Sequence, residues 1–213
     1  MNTEPRVKIC GITRQDQARQ IAALGADFIG INFWPRSKRF VSPSDAAWLT
    51  GLPETTTRVG VFVDPSMEEI ETVAAADLVS VFQLHGDESP GFCAALGDLG
   101  LKIIKAVQVR DETSLARIAD WSVNDILLDA CHPQARGGTG DTFPWALAIR
   151  FKELFPGRRL WLAGGLTPGN VTDAVQRVRP FAVDVASGVE DATPGVKNME
   201  KVAKFIGAAK RHA

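Results

Sequence analysis

Short runs of apolar and β-branched residues recur along the whole chain, and segments with helical spacing of polar and apolar residues separate them. Both faces of these runs are apolar, which is typical of parallel strands covered by helices. Eight strands are predicted, at residues 7–10, 27–33, 58–63, 80–84, 102–107, 125–128, 160–163 and 182–185.

Residues typical of helix starts and helix ends lie between the predicted strands. Hydroxyl residues are expected to cap four helices, and proline follows three of them at the first helical position. These caps are Ser42, Ser66, Ser89 and Thr167. Gly25 and Gly51 fit helix stops.

Eight strand–helix units in this chain take about 27 residues each, which is near the lower end for a (β/α)8 TIM barrel. No linker or low-complexity segment divides the sequence. We therefore expect an α/β protein made of one barrel domain over residues 1–213, in preference to a doubly wound sheet. The longer connections follow residues 33, 128 and 185. All three come after strands, which places them on the catalytic face.

The charge balance excludes several classes of partner. Lys and Arg number 24 against 25 Asp and Glu, a net charge of −1, which offers no field for nucleic acid or an anionic membrane. No apolar run approaches the roughly 20 residues that span a bilayer, and residues 1–6 have no signal-peptide core. Three scattered cysteines make no disulfide framework. We expect a cytoplasmic protein, monomer or homodimer.

Cys10 and Asp129 end the first and sixth predicted strands, so both are expected at the barrel mouth. A thiolate is a competent base, and a carboxyl group in an apolar mouth can serve as an acid near neutral pH. Taken singly, each has a plainer interpretation. Cys10 could be a packed cysteine, and Asp129 could cap a helix.

Two glycine-containing segments follow the seventh and eighth predicted strands. Gly164 and Gly165 end the seventh, and Ser187 and Gly188 end the eighth. In phosphate-binding barrels these two loops present backbone N–H groups to a phosphate. The alternative is a pair of ordinary glycine turns, but their joint position favours the phosphate site.

Three cations follow the second predicted strand: Arg36, Lys38 and Arg39. Such a cluster is usually a solvated loop, but on the catalytic face an arginine offers a planar fork for a carboxylate. The glycine-rich segment 137–140 fits a lid better than a nucleotide-binding loop. Cys10, His85, Cys131 and His132 lack metal-ligand spacing, so no metal site is expected.

Read together, these segments resemble the phosphoribosylanthranilate isomerase family. The resemblance extends over nearly the whole chain in family order and is carried by these motifs: Lys8-Ile9-Cys10-Gly11-Ile12-Thr13, Ser37-Lys38-Arg39-Phe40, Gly60-Val61-Phe62-Val63, Gln83-Leu84-His85-Gly86, Leu127-Leu128-Asp129-Ala130, Gly137-Gly138-Thr139-Gly140, Leu162-Ala163-Gly164-Gly165-Leu166 and Val183-Asp184-Val185-Ala186-Ser187-Gly188-Val189-Glu190.

The resemblance implies a (β/α)8 barrel that performs a cofactor-free Amadori rearrangement of a small phosphosugar substrate in tryptophan biosynthesis. It implies that Asp129 is the general acid and Cys10 the general base. It further implies that Arg39 holds the anthranilate carboxylate and that Gly164, Gly165, Ser187 and Gly188 hold the phosphate.

Two positions depart from the family pattern. Ala186 stands where a serine is usual, which removes a hydroxyl near the expected phosphate site. Asn198 stands where an aspartate is expected, which predicts a weaker contact at a helix start or at the phosphate.

Three other functions compete with this interpretation. The related aminosugar isomerase of histidine synthesis is associated with an aspartate at the first strand end, where this chain has Cys10. A non-catalytic phosphosugar-binding barrel would not need both Cys10 and Asp129. A metal-dependent phosphosugar epimerase would lose activity on chelation.

Overall fold

Eight parallel strands form a closed barrel in the computed structural model, which describes residues 4–130 and 144–211. Each strand pairs with the next in the chain, and β1 pairs with β8 to close the ring. The strands are β1 (Arg6–Cys10), β2 (Phe28–Asn32), β3 (Thr57–Phe62), β4 (Val81–Leu84), β5 (Ile103–Val109), β6 (Asp125–Ala130), β7 (Arg159–Leu162) and β8 (Ala182–Val185). The predicted (β/α)8 barrel is confirmed.

Helices connect successive strands outside the barrel. The α-helices are α1 (Gln15–Ala23), α2 (Met67–Ala75), α3 (Pro90–Asp98), α4 (Glu112–Ala116), α5 (Trp145–Leu154), α6 (Val171–Val178) and α7 (Met199–Lys210). The connection after β2 carries a 3-10 helix, Pro43–Gly51, in place of an α-helix. Two shorter 3-10 helices, Arg117–Asp120 and Ser187–Val189, follow α4 and β8.

Three of the four predicted caps are confirmed. The side chains of Ser42, Ser66 and Ser89 accept the expected backbone N–H bonds. The prediction at Thr167 is wrong, because α6 begins only at Val171. Asn170 closes a turn first: its side chain accepts from the Thr167 N–H and donates to the Gly165 carbonyl.

Two predicted helix stops agree with the structure, and two strands end later than predicted. Gly25, at φ +90°, follows the end of α1, and the first 3-10 helix ends at Gly51. Strands β5 and β6 each run two residues beyond their predicted ends, to Val109 and Ala130. The extra pairing places Gln108 beside Asp129 in register.

Two apolar cores lie on either side of the barrel wall. The larger fills the space between strands and helices. The smaller fills the barrel interior and consists of Val59, Val81, Ile104, Ala106, Leu127, Trp161, Ala163 and Ala182. Successive inward positions on a strand are two residues apart, so Asp129 follows Leu127 on the inner face. The interior thus changes from apolar to polar toward the carboxyl ends of the strands.

The described helices include none with the length and apolarity needed to cross a bilayer.

Candidate active site

A cavity of about 1150 Å³ opens at the carboxyl ends of the strands. Its wall includes all seven residues that the sequence marked for the site: Cys10, Arg39, Asp129, Gly164, Gly165, Ser187 and Gly188. Arg36 and Lys38 line the same cavity. Segment 137–140, Cys131 and His132 lie outside the described residues.

Cys10 is the last residue of β1 and lies on the wall of this cavity, 9% exposed. The neighbouring strand makes room for the thiol: a Cβ on Gly30 would lie 2.7 Å from Sγ and 3.1 Å from the Cys10 Cα. Burial raises the pKa of the Cys10 thiol, while the Lys8 ammonium beneath it pulls the same pKa down. Lys8 therefore stabilises the thiolate without overcoming burial.

Lys8 is a fully buried cation in the barrel interior. Its Nζ donates to Asp184 Oδ2 at 3.0 Å and to Gln83 Oε1 at 2.8 Å. Burial on its own would lower the pKa of Lys8, but Asp184 and Cys10 outweigh that effect and raise it. Lys8 is thus held charged below the thiol.

Asp129 lies on β6, with His85 beside it. His85 Nε2 is 3.3 Å from Asp129 Oδ2, a contact that falls short of an aligned hydrogen bond. On the other side of the ring, His85 Nδ1 is 2.9 Å from Gln83 Nε2. A continuous line of polar side chains therefore joins Lys8 to Asp129.

Arg39 reaches the cavity on a loop after β2 and is held there by Glu190. The Arg39 Nε and Nη2 donate to the two Glu190 oxygens at 2.7 and 2.6 Å. Glu190 also accepts from Lys197 Nζ at 2.7 Å. Burial would raise the pKa of Glu190, but Arg39 and Lys197 together lower it. The carboxylate is therefore a fixed anchor for the guanidinium.

The end of β1 is shaped to admit the Arg39 side chain. Gly11 has φ +75°, and a Cβ there would lie 2.3 Å from Arg39 Cδ. In the described residues no hydrogen bond engages Arg39 Nη1, so its donors are available, and Arg39 lines the cavity. Glu190 takes one edge of the fork, which the sequence did not predict.

The loops after β7 and β8 meet at the cavity wall. Gly164 and Gly165 have φ of +84° and +65°, a region that glycine adopts without strain. A Cβ on Gly188 would lie 2.0 Å from the Leu166 carbonyl oxygen. Only a residue without a side chain permits this approach of the two loops.

The departures from the family pattern have structural outcomes. Asn198 caps α7, because its side chain accepts from the Lys201 N–H at 2.9 Å, so the helix-start contact is present. Ala186 lines the cavity, and its carbonyl accepts from Lys197 Nζ. A methyl group therefore occupies the wall where a serine hydroxyl was expected.

Sequence reasoning missed the supporting polar residues of the site: Lys8, Gln83, His85, Asp184, Glu190 and Lys197. A signal was available for three of them, since Lys8, Gln83 and Asp184 are polar residues inside otherwise apolar strands. His85 was considered only as a metal ligand. Within the described ranges, no three His, Cys, Asp or Glu side chains could hold a metal ion.

The fold and the cavity define a (β/α)8 barrel with a thiol and a carboxyl group on the wall of one cavity at the carboxyl ends of its strands. The model of the N-(5'-phosphoribosyl)anthranilate (PRA) isomerase family matches residues 7–208. An N-(5'-phosphoribosyl)anthranilate isomerase from Geobacter metallireducens is 46% identical over 206 residues, which cover 96% of this chain and 98% of that protein.

Solved structures agree with the sequence comparison. Phosphoribosyl anthranilate isomerase from Thermotoga maritima is 41% identical, with a TM-score of 0.88 over 97% of this chain and 98% of that chain. A second structure, 39% identical with a TM-score of 0.84 over the same shares, holds reduced 1-(o-carboxyphenylamino)-1-deoxyribulose 5-phosphate. This chain belongs to the N-(5'-phosphoribosyl)anthranilate isomerase family.

Proposed function

We propose that Cys10 and Asp129 carry the proton transfers by which this chain isomerises N-(5'-phosphoribosyl)anthranilate in tryptophan biosynthesis. The observation that carries the proposal is that both groups line one cavity from different strands, β1 and β6. The product is 1-(2-carboxyphenylamino)-1-deoxy-ribulose 5-phosphate.

The reaction needs one acid and one base. Asp129 gives its proton to the ribose ring oxygen, and the C1–O bond breaks to leave a protonated Schiff base. Cys10, as the thiolate, takes the proton from C2, and the electron pair forms the enolamine. Tautomerisation moves the C2 hydroxyl proton to C1 and yields the ketone, and proton exchange with solvent returns Cys10 to the thiolate and Asp129 to the acid. Atoms and electrons balance, since the product is an isomer of the substrate.

Two anionic groups on the substrate match two positions in the cavity. Arg39 is assigned to the anthranilate carboxylate, because a guanidinium held by Glu190 presents its remaining donors without having to be ordered on binding. Gly164, Gly165, Ser187 and Gly188 are assigned to the phosphate. Backbone in two glycine loops allows an anion to approach closely.

A fluorescence assay that follows loss of phosphoribosylanthranilate tests the function. The purified protein should consume this substrate, and a variant carrying both Cys10→Ala and Asp129→Asn should not. A parallel turnover assay with the histidine-pathway aminoaldose distinguishes the related isomerase. Turnover of that compound alone, or tight binding of phosphoribosylanthranilate without turnover, would contradict the proposal.

The carboxylate role of Arg39 has its own test. Arg39→Ala should mainly raise KM, because it removes binding that ground and transition states share. Arg36→Ala, a neighbouring cation on the same loop, is the matched control and should change KM less. An unchanged KM in Arg39→Ala would remove this residue from the substrate site.

The oligomeric state and the cellular location stay predictions. The sequence favours a monomer or homodimer in the cytoplasm, acting on a phosphosugar without nucleic-acid or membrane partners. Sedimentation of the purified protein would decide between monomer and dimer.

A further inference from the structure

We propose that Lys8 and Gln83 are positioning residues that hold His85 neutral, with its proton on Nε2 facing Asp129. The inference rests on the proposed function, because the acid role of Asp129 gives this arrangement its purpose. It concerns a different event, however: where the proton on a neighbouring imidazole resides.

The first step is the orientation of the Gln83 amide. Its Oε1 lies 2.8 Å from Lys8 Nζ, and its Nε2 lies 2.9 Å from His85 Nδ1. An ammonium group donates and never accepts, so the Gln83 oxygen must face Lys8. The amide nitrogen therefore faces the imidazole. The oxygen and nitrogen of an amide are assigned from their hydrogen-bond partners, and here the donor-only ammonium of Lys8 sets that assignment.

The second step is the tautomer of His85. A primary amide nitrogen is only a donor, so the His85 Nδ1 that receives it must carry a lone pair. A neutral ring with a lone pair on Nδ1 has its proton on Nε2. Nε2 is the atom that lies 3.3 Å from Asp129 Oδ2.

Burial prevents the side chains of Lys8 and Gln83 from rearranging. Lys8 is 0% exposed and Gln83 is 1% exposed. Asp184 holds the Lys8 charge at 3.0 Å, and Gly30 leaves room for the Lys8 stem, since a Cβ there would lie 3.1 Å from Lys8 Cε. Burial and these contacts therefore keep Lys8 as the partner of the Gln83 oxygen.

The consequence concerns Asp129. An imidazolium beside it would favour the ionised carboxylate, which has no proton to give. A lone pair on Nε2 would repel that carboxylate. A neutral ring with its proton on Nε2 neither favours the ionised form of Asp129 nor repels the carboxylate. It can donate to Oδ2 as the contact shortens in the substrate complex, where catalytic hydrogen bonds tighten.

Nitrogen-15 NMR of the imidazole tests the proposal on the intact protein. His85 should show a lone-pair nitrogen at Nδ1 and a protonated nitrogen at Nε2 at neutral pH. The chain has three histidines, so the His85→Gln spectrum assigns the signals. An Nδ1–H tautomer or an imidazolium in the native protein would overturn the inference.

Gln83→Glu is the decisive variant, because it keeps the shape and replaces the amide donor with an acceptor. The new carboxylate would still accept from Lys8 but would demand a proton on His85 Nδ1. We expect the NMR signals of a ring protonated at Nδ1 and a kcat lower by about tenfold, less than the hundredfold or more expected when the acid itself is lost, with a much smaller change in KM.

Gln176→Glu is the matched control, because it adds the same charge on an exposed position of α6. It should leave the His85 signals and kcat unchanged. A wild-type tautomer in folded Gln83→Glu, or a normal kcat with a protonated Nδ1, would refute the role of Gln83. Failure of the acid assignment is distinguishable, because Asp129→Asn would then keep its kcat while the native tautomer stood.

Discussion

The Cys10 thiol is the residue whose surroundings decide whether it can act as a base. Burial raises its pKa above the ordinary value of 9.0, Lys8 lowers it, and Asp184 raises it again. A raised pKa means that the thiol form predominates in the free protein at neutral pH. The basic form grows as pH rises toward that pKa, so activity limited by the thiolate should rise with pH on its acid side.

Lys8→Met tests the electrostatic part of this balance. The substitution removes the ammonium that stabilises the thiolate, and it leaves the Asp184 charge uncompensated nearby. Both changes raise the Cys10 pKa. The rate of Cys10 alkylation by iodoacetamide, followed by mass spectrometry across pH, should therefore reach its midpoint at higher pH than in the wild type.

Cys93 supplies an internal control for the alkylation experiment. It is 1% exposed in the outer core, and burial raises its pKa to about 11. It should remain unlabelled in both proteins, and its labelling would indicate unfolding. A Cys10 midpoint that stays in place or moves to lower pH would show that Lys8 does not stabilise the thiolate.

Cys10→Ala and Asp129→Asn test the two proposed catalytic groups separately. Each should lower kcat by about a hundredfold or more, the scale of lost general acid or base catalysis, while circular dichroism and cooperative unfolding stay native. Cys93→Ala is the matched control, because it removes a buried thiol from α3 and should lower the melting temperature but spare kcat. Near-wild-type kcat in either site variant would refute that residue's role.

At the scale of the elements, the strands were predictable because both of their faces are buried. Apolar runs located all eight strands, and the ends of those strands located Cys10 and Asp129. The extension of β5 and β6 to Val109 and Ala130 was not predictable. Gln108 and Asp129 interrupt the apolar pattern there, although pairing between the strands continues.

The contacts among the supporting residues were not predictable, for a related reason. Lys8 contacts Gln83, which is 75 positions away, and Asp184, which is 176 positions away. Such contacts depend on register between strands, and no local pattern encodes register across a closed barrel. The same applies to Glu190, whose contact with Arg39 spans 151 positions. Local sequence therefore marked the proposed catalytic groups and missed the residues that hold them.

The approach of the loops after β7 and β8 leads to a prediction at Gly188. An added Cβ would lie 2.0 Å from the Leu166 carbonyl oxygen, so Gly188→Ala must push the two loops apart. We expect a loss of stability of about 1–3 kcal/mol, typical of overpacking, and a raised KM because the proposed phosphate site widens. Steady-state kinetics and urea unfolding measure both effects.

Gly91→Ala is the matched control for this experiment. It lies in the first turn of α3, where the nearest atom to an added Cβ is 3.9 Å away. The alanine should be neutral or slightly stabilising there, because it removes the conformational freedom of glycine from a helix. A Gly188→Ala variant with wild-type KM and stability would mean that the loops do not depend on this approach.

At the scale of the whole molecule, closure of the barrel joins the two ends of the chain. Asp27, just before β2, accepts from the Val7 N–H at 2.9 Å and from Arg6 Nη1 at 2.8 Å. Lys210, at the end of α7, lies 3.0 Å from the same carboxylate. One carboxylate therefore connects the first strand to the last helix. Burial opposes its ionisation, but these donors outweigh burial and lower the pKa of Asp27 below its ordinary 3.8.

This connection predicts a pH-dependent contribution to stability. A carboxyl group with a lowered folded-state pKa binds protons more readily in the unfolded chain, so its stabilisation is fully present above the unfolded pKa and disappears as pH falls through the folded pKa. Asp27→Asn should thus be less stable than the wild type at neutral pH, and the difference should shrink as pH falls below about 4. Urea unfolding of both proteins between about pH 7 and about pH 3 measures that difference. Asp16→Asn is the control, because the exposed Asp16 pairs with the exposed Arg14 two residues away, and the substitution should change stability little at any pH. A difference for Asp27→Asn that stays constant with pH would mean that its charge does not stabilise the closure.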